Sequence, residues 1–375
     1  MDYYAVDFES PSRRPPERSH GFGRLLLAAI LGATLTLGGA YGLGTLYIPD
    51  EPVVAVERPA TAAMPVLAIM DGEFSPAEVA ESVVPAVVTV EIEVNTPSGV
   101  VAQGSGSGVI IDQAGYIVTN DHVAGNAASI RVILSDGRIY DATLVGTDPL
   151  TDLAVLRIEA GDLTAVEFGS TDGMRVGEPA VAIGSPLGLQ GGPSLTVGVL
   201  SAFGREVQTS ATTILYGMLQ TDAPITQGSS GGALVDDQGR LIGITTAVGV
   251  SSVGIEGIGF ATPIEVVQRI VADLLDDGVV ANGLLGINGV TDFVDTSDGG
   301  SRPTGVRVEA IEPGSGASAA GLQLGDVITA VEGVNIDTMD ELISALRRRG
   351  AGDAVMLEIQ RGGAVVEVTA TLGTL

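Results

Sequence analysis

Histidine is scarce enough in this chain to be informative. Only two of the 375 residues are His, namely His20 near the N-terminus and His122. His122 sits in Ile117-Val118-Thr119-Asn120-Asp121-His122-Val123, where an apolar strand pattern runs out into small residues. An imidazole is the side chain best suited to moving a proton near neutral pH. Ser230 lies in Gly228-Ser229-Ser230-Gly231-Gly232. Glycines let the backbone turn sharply there, so that the N–H groups of Gly228 and Ser230 could face a developing oxyanion. A serine hydroxyl is a poor nucleophile without an adjacent base, and that base needs an acid to orient it. Asp152 is the candidate acid. It heads the apolar run Leu153-Ala154-Val155-Leu156, and a carboxylate half buried at the edge of such a strand needs a partner. Asp148, before Pro149, reads instead as a turn cap. Gly104-Ser105-Gly106-Ser107-Gly108 reads as an ordinary Gly/Ser loop.

The elements that would hold these residues are mostly strands. Ser75-Pro76-Ala77-Glu78 has the form of a capping box with Pro at the first helical position, so a short helix opens the folded part. From Ala86 to Ala261 strand patterns follow one another: Val87–Val94, Gly108–Ile111, Ile117–Thr119, Ile130–Leu134, Ala142–Val145 and Leu153–Ile158. Turn signals such as Ser135-Asp136-Gly137 separate them. Short strands at even spacing predict one or two β-barrels. Thr262-Pro263-Ile264-Glu265 is a second capping box, and Ile264, Val267, Ile270, Val271 and Leu274 share one face of the helix it opens. A second module begins near Gly283, with five short strands and a helix opened by Thr338-Met339-Asp340-Glu341 and closed by Arg347, Arg348 and Arg349. The chain divides into a segment over 1–24, an apolar stretch over 25–48, a linker over 49–73, a barrel domain over 74–278 and a small α+β module over 283–375.

Leu25 to Ile48 contains no charge and as a helix would span roughly 36 Å, enough for a bilayer. Arg13, Arg14, Arg18 and Arg24 precede it, and Asp50 and Glu51 follow. That asymmetry puts the N-terminus in the cytoplasm and the barrel domain outside, on a single retained anchor rather than a cleaved signal. The net charge is −28, and all 18 basic residues are Arg. So acidic a chain does not neutralise phosphates, and no nucleic acid is expected. With no Cys, disulfides, thiolate catalysis and Cys-ligated metal sites are excluded.

Chain order discriminates among serine-nucleophile folds. The Gly-x-Ser-x-Gly of the nucleophile elbow needs a His after the Ser, and none follows Ser230. Subtilisin-like enzymes place Asp before His and alternate strands with helices. His, Asp, Ser on all-β sequence is the chymotrypsin order. At this point the chain resembles the HtrA/Deg family of serine proteases over residues 74–375. The resemblance rests on Thr119-Asn120-Asp121-His122-Val123, Thr151-Asp152-Leu153-Ala154-Val155-Leu156, Thr221-Asp222-Ala223-Pro224-Ile225 leading into Ser230-Gly231-Gly232, and Gly257-Ile258-Gly259-Phe260-Ala261. The C-terminal module resembles a PDZ domain, through Leu285-Gly286-Ile287, Gly305-Val306-Arg307-Val308, Ala320-Gly321-Leu322 and Gly325-Asp326-Val327-Ile328. Two features depart from the family. Its usual Asn-Pro-Gly-Asn-Ser-Gly-Gly-Pro is here Thr226-Gln227-Gly228-Ser229-Ser230-Gly231-Gly232-Ala233, and Thr262 stands where an Ile is usual near the specificity pocket.

The resemblance implies a chymotrypsin-like double β-barrel followed by a PDZ domain and preceded by one transmembrane helix. It implies His122 as general base, Asp152 as its orienter, Ser230 as nucleophile, and Gly228 and Ser230 N–H groups as oxyanion donors. It also implies ATP-independent cleavage of unfolded polypeptides, often after small aliphatic residues, with no cofactor or metal. Leu284, Leu285, Gly286 and Ile287 would form the loop receiving the carboxylate of a peptide C-terminus. By family analogy the chain forms a trimer. Two other functions remain open: a non-catalytic chaperone that captures unfolded chains, and a regulatory protease with one envelope substrate.

Overall fold

The structure, a computed structural model, describes residues 74–96, 99–185, 192–209, 213–246 and 257–375. The cytoplasmic segment, the membrane span expected over 25–48 and the linker lie outside those residues. Among the described residues no helix is long and apolar enough to cross a membrane.

Helix α1 (Pro76–Val83) opens the described chain as expected, with the Ser75 hydroxyl accepting from Glu78 N–H at 3.3 Å. Six strands then close a first barrel: β1 (Val87–Thr96), β2 (Gly99–Ile110), β3 (Tyr116–Thr119), β4 (Ser129–Ile133), β5 (Ile139–Asp148) and β6 (Leu153–Ile158), ordered β1-β2-β3-β6-β5-β4. Between β3 and β4 stands a single helical turn, α2 (Asp121–Ala124). A second barrel is built from β7 (Pro179–Gly184), β8 (Ser194–Gln208), β9 (Ile214–Thr221), β10 (Ala233–Val235), β11 (Leu241–Thr246) and β12 (Gly259–Pro263), ordered β10-β11-β12-β9-β8-β7. Helix α3 (Ile264–Asp276) follows.

Each barrel encloses its own apolar interior, with Val88, Ile110, Ile117 and Leu156 in the first and Leu200, Leu219, Leu234 and Ile242 in the second. A further core lies along the seam between them. There Val109, Val118 and Leu153 of the first barrel meet Val181, Ile183 and Ile244 of the second, and α1 and α3 pack over both. Ile264, Val267, Ile270, Val271 and Leu274 of α3 are all buried in it, as the helical spacing predicts. Burying such side chains contributes about 1.5–3 kcal/mol each, so the seam fixes one barrel on the other.

Two sequence expectations are corrected. The Gly104–Gly108 stretch is strand rather than loop: it belongs to β2, and Ser107 pairs with Thr89 and Ser105 with Glu91 of β1. The small residues allow close packing, since a Cβ at Gly106 would stand 2.8 Å from the Val123 side chain. Thr262 does not cap α3. It lies within β12 opposite Ile244, and Pro263 takes the cap position without a side-chain bond. Strand pairing therefore overrides the local capping signal. Thr262 is buried, with its hydroxyl 3.8 Å from Met218 sulfur and 3.5 Å from Thr151 C=O.

The C-terminal module comprises β13 (Gly283–Leu284), β14 (Ile287–Asp295), β15 (Ser301–Ile311), α4 (Gly316–Ala319), β16 (Val327–Val331), β17 (Val334–Asn335), α5 (Met339–Arg347), β18 (Ala354–Arg361), β19 (Ala364–Thr371) and β20 (Gly373–Thr374). The main sheet runs β14-β15-β16-β18-β19, which leaves β14 as an edge strand, and β13 pairs with β20. Its core is Val306, Val308, Ile328, Leu342, Leu357 and Ile359. Thr338 caps α5 as expected, accepting from Glu341 N–H at 3.3 Å.

Candidate active site

His122 is carried on α2, directly after β3. Its ring Nδ1 lies 2.8 Å from Asp152 Oδ2 and 2.9 Å from Oδ1, and its main-chain N–H donates to Oδ1 at 3.0 Å. Three contacts on one carboxylate leave the ring little freedom to rotate. Against an ionised Asp152, Nδ1 carries the proton and Nε2 is left as the basic nitrogen. The His122 side chain is 47% exposed and Asp152 only 9%, so the acid sits behind and the base faces the cleft. Burial, the largest influence on His122, disfavours its charged form; the hydrogen bond and charge of Asp152, helped by Asp121, outweigh it and raise the pKa above the ordinary histidine value.

Asp152 occupies the turn between β5 and β6 with φ +56°, a left-handed conformation that, glycine apart, short polar residues such as Asp tolerate best. Two neighbours hold the turn. The buried Asn120 amide donates to Asp152 C=O at 2.8 Å. The Thr151 hydroxyl donates to Asp148 Oδ2 at 2.7 Å. Asp148 is thus more than a turn cap: it is buried and also accepts from Asn282 Nδ2 at 3.0 Å.

Ser230 stands in the sharp turn before β10 and is largely buried. Gly228 has φ +91° and Gly231 φ +84°. A Cβ at Gly231 would lie 2.2 Å from Ser107 C=O and 2.4 Å from Thr119 Oγ1, so only glycine fits. The position of Gly106 links the two halves of the site: its Cα faces Val123, next to His122, and a Cβ there would also stand 3.2 Å from Ser230 C=O. A His–Asp pair and a serine on a glycine turn are the parts by which a hydroxyl proton can pass to Nε2 and the resulting imidazolium be held.

Sequence reasoning missed Ser107, Thr245 and Asn120, which brace this site from behind. Asn120 lies inside the motif that carries His122, and Ser107 lies in a Gly/Ser stretch with loop character. No local pattern marks them, because their partners are remote in sequence.

In the C-terminal module, Leu284 to Ile287 forms the bend between β13 and β14. Leu285 C=O accepts from Ala317 N–H and Gly286 C=O from Glu312 N–H, both at 2.9 Å. Both carbonyls are thus engaged within the module, Leu285 and Gly286 are buried, and Gly286 at φ +79° turns the chain into the head of edge strand β14. Helix α5 flanks that strand, and Met339 N–H donates to Thr291 Oγ1 at 3.1 Å.

Residues 106–244 match the trypsin-like peptidase domain family and residues 283–372 the PDZ domain family. The chain is 36% identical over 375 residues to the periplasmic pH-dependent serine endoprotease DegQ of Escherichia coli (strain K12), covering 94% of this chain and 78% of DegQ. It is 40% identical over 271 residues to the periplasmic serine endoprotease DegP of the same strain, covering 71% of this chain and 56% of DegP. Among solved structures, the HtrA-type protease AlgW with tripeptide aligns with a TM-score of 0.62 at 34% identity, covering 80% of this chain and 97% of that one. The serine endoprotease from Yersinia pestis aligns with a TM-score of 0.55 at 34% identity, covering 80% and 98%.

Proposed function

Because the chain belongs to the HtrA/Deg family of serine endoproteases, with a trypsin-like peptidase domain followed by a PDZ domain, we propose that it hydrolyses peptide bonds in unfolded extracytoplasmic polypeptides through His122, Asp152 and Ser230. Ser230 Oγ attacks the scissile carbonyl while His122 Nε2 takes its proton. The imidazolium is held by Asp152. The oxyanion is received by the N–H groups of Gly228 and Ser230. His122 then returns the proton to the leaving amine, and water repeats the sequence on the acyl-enzyme. No nucleotide or metal enters these steps.

The observation that carries this reading is the contact of His122 Nδ1 and N–H with one buried carboxylate. The protease domain spans 74–278 and the PDZ domain 283–375. Peptide C-termini add to β14, their carboxylate received by the N–H groups of Leu284 to Ile287. The stretch 25–48 anchors the chain in the membrane, with 1–24 in the cytoplasm and the catalytic domain outside. The periplasmic relatives support the extracytoplasmic position of the catalytic domain, and a trimer is the assembly expected.

The test is casein degradation by the full-length chain in detergent beside Ser230→Ala. Cleavage by the first and none by the second supports the reading. Equal cleavage by both would show that Ser230 is not the nucleophile. Absence of cleavage by both would favour a binding protein without catalysis.

A further inference from the structure

Behind the nucleophile turn, three successive main-chain carbonyls are each held. Gly228 C=O accepts from the Ser107 hydroxyl at 2.8 Å. Ser229 C=O accepts from the Thr245 hydroxyl at 2.6 Å and from Gly232 N–H at 3.0 Å. Ser230 C=O accepts from Ser107 N–H at 2.7 Å. The two hydroxyls come from opposite barrels, Ser107 from β2 and Thr245 from β11, and both residues are buried.

Neither residue is itself loose. The Ser107 hydroxyl accepts from Ser185 N–H at 2.8 Å, which commits its single proton to Gly228. Ser107 C=O accepts from the Thr119 hydroxyl at 2.7 Å. Thr245 C=O accepts from Gly231 N–H at 2.8 Å, and Thr245 N–H donates to Gly232 C=O at 2.9 Å. Both clamps are therefore built into the strand framework.

A trans peptide group points its C=O and its N–H in opposite directions. Holding Ser229 C=O against Thr245 thus turns the Ser230 N–H to the other side, away from β11. The peptide group that joins Gly228 to Ser229 is held at both ends, since Ser229 N–H donates to Thr226 C=O at 2.9 Å and Gly228 C=O is held by Ser107. That peptide and the φ of +91° at Gly228 together set where the Gly228 N–H points. Glycine adopts either sign of φ with similar ease, and Gln227 before it has no ring to restrict the chain. The local sequence of the turn does not choose its own orientation, so a lock from outside has to.

We infer that the hydroxyls of Ser107 and Thr245 are positioning groups for the oxyanion hole, holding the Gly228 and Ser230 N–H groups in their receiving orientation before substrate arrives. This rests on the catalytic reading of Ser230. Donors already in place need no reorganisation as charge develops, which is where their value lies. The effect should fall on the tetrahedral state and spare substrate binding.

The experiment uses the full-length chain in detergent micelles, with a fluorogenic peptide for kinetics and a peptidyl boronic acid as a probe that forms a tetrahedral adduct with the serine. Ser230→Ala run in parallel tests the underlying reading by itself. Thr245→Val keeps the shape and removes the hydroxyl, Ser107→Ala does the same from the other barrel, and Thr245→Ser restores the hydroxyl. The expected result is a kcat lower by about 10- to 100-fold in Thr245→Val and Ser107→Ala, with KM within about twofold, a parallel loss of boronate affinity and near wild-type kcat in Thr245→Ser. A kcat within about twofold of wild type in both hydroxyl-deleted variants would overturn the inference, while an inactive Ser230→Ala left the protease reading intact. So would an equal loss in Thr245→Ser, or a loss of kcat with boronate affinity unchanged. An active Ser230→Ala would sink both readings.

Discussion

The side-chain amide of Asn120 donates to the main-chain carbonyl of Asp152 at 2.8 Å, and the residue it holds is in a left-handed backbone conformation, φ +56°. Backbone strain of this kind costs about 1–3 kcal/mol and persists only where neighbours impose it. Asn120 also donates to Thr246 Oγ1 at 3.2 Å, while its own Oδ1 is buried with no hydrogen-bond partner among the described residues. Replacing Asn120 with Ala removes two bonds but also one buried unsatisfied acceptor. The two effects partly cancel, and we expect a stability loss of about 1 kcal/mol. The larger effect should be on kcat, since the main chain that carries the His122-orienting carboxylate loses its anchor. A denaturation curve and steady-state kinetics on Asn120→Ala check both. A variant with wild-type kcat would show that Asp152 keeps its place without Asn120.

The raised pKa of His122 fixes the sign of two pH dependences. Catalysis needs the neutral ring, so kcat/KM should be lost as pH falls through a midpoint above the ordinary histidine value of about 6.5. The contribution to stability runs the other way. A group whose folded pKa is raised stabilises the fold fully below its unfolded value and loses that contribution as pH rises through the folded one. Asp152→Asn removes the two leading causes that raise the pKa and leaves burial, the largest influence, which lowers it, against the smaller raising effect of Asp121. The His122 titration should therefore move below the ordinary value, with kcat down by about 10⁴-fold, the size of loss such a substitution causes in Ser-His-Asp triads. Proton NMR reads the titration directly, because His20 is the one other imidazole and His20→Gln identifies its signal. A midpoint unchanged in Asp152→Asn would contradict this account.

Gly286 offers a test confined to the PDZ domain. Its φ is +79°, and a Cβ there would stand 2.2 Å from the Ser315 Cβ. Gly286→Ala must therefore shift the bend that heads β14. We expect at least about tenfold weaker binding of a labelled peptide with a C-terminal carboxylate, measured by fluorescence anisotropy. An amidated peptide should bind wild type as weakly as the carboxylate peptide binds the variant. Equal binding of both peptides to wild type would remove the carboxylate from the recognition scheme.

How far the sequence carried the structure follows from the range of each interaction. The triad candidates were legible because His is so rare and because His122, Asp152 and Ser230 each sit in a short stretch with its own signature. The α3 stripe was legible from its spacing. Ser107 was not, since glycine and serine have weak strand propensity and the pairing that makes Gly104–Gly108 a strand comes from β1. Thr262 follows the same rule: its local context matches a helix cap, while its partner Ile244 lies on another strand. The bracing of Asp148 by Asn282 joins a turn of the first barrel to the short connector ahead of the C-terminal module, and nothing near either one announces it.

That bracing yields the last prediction. Asn282 Nδ2 donates to Asp148 Oδ1 at 3.0 Å, and Asn282 Oδ1 accepts from Arg269 Nη2 at 2.8 Å. Arg269 also donates through Nε to Arg347 C=O at 3.1 Å, at the end of α5. A continuous set of hydrogen bonds thus runs from the PDZ helix to the turn that presents Asp152. Asn282→Ala leaves one oxygen of a buried carboxylate and the Arg269 group less well satisfied, at a cost of about 1–3 kcal/mol. Asn282→Asp has the same shape as the native residue but places a second carboxylate against Asp148. Two carboxylates in contact favour sharing one proton, so the folded state takes up a proton that the unfolded state releases. A carboxyl whose folded pKa is raised destabilises the fold at neutral pH, and that penalty shrinks as pH falls. Asn282→Asp should accordingly be less stable than Asn282→Ala at pH 7, and the gap should narrow toward pH 5. Denaturant midpoints of the two variants at both pH values measure it. A gap that widens on acidification would mean that the new carboxylate pairs with Arg269 and turns away from Asp148.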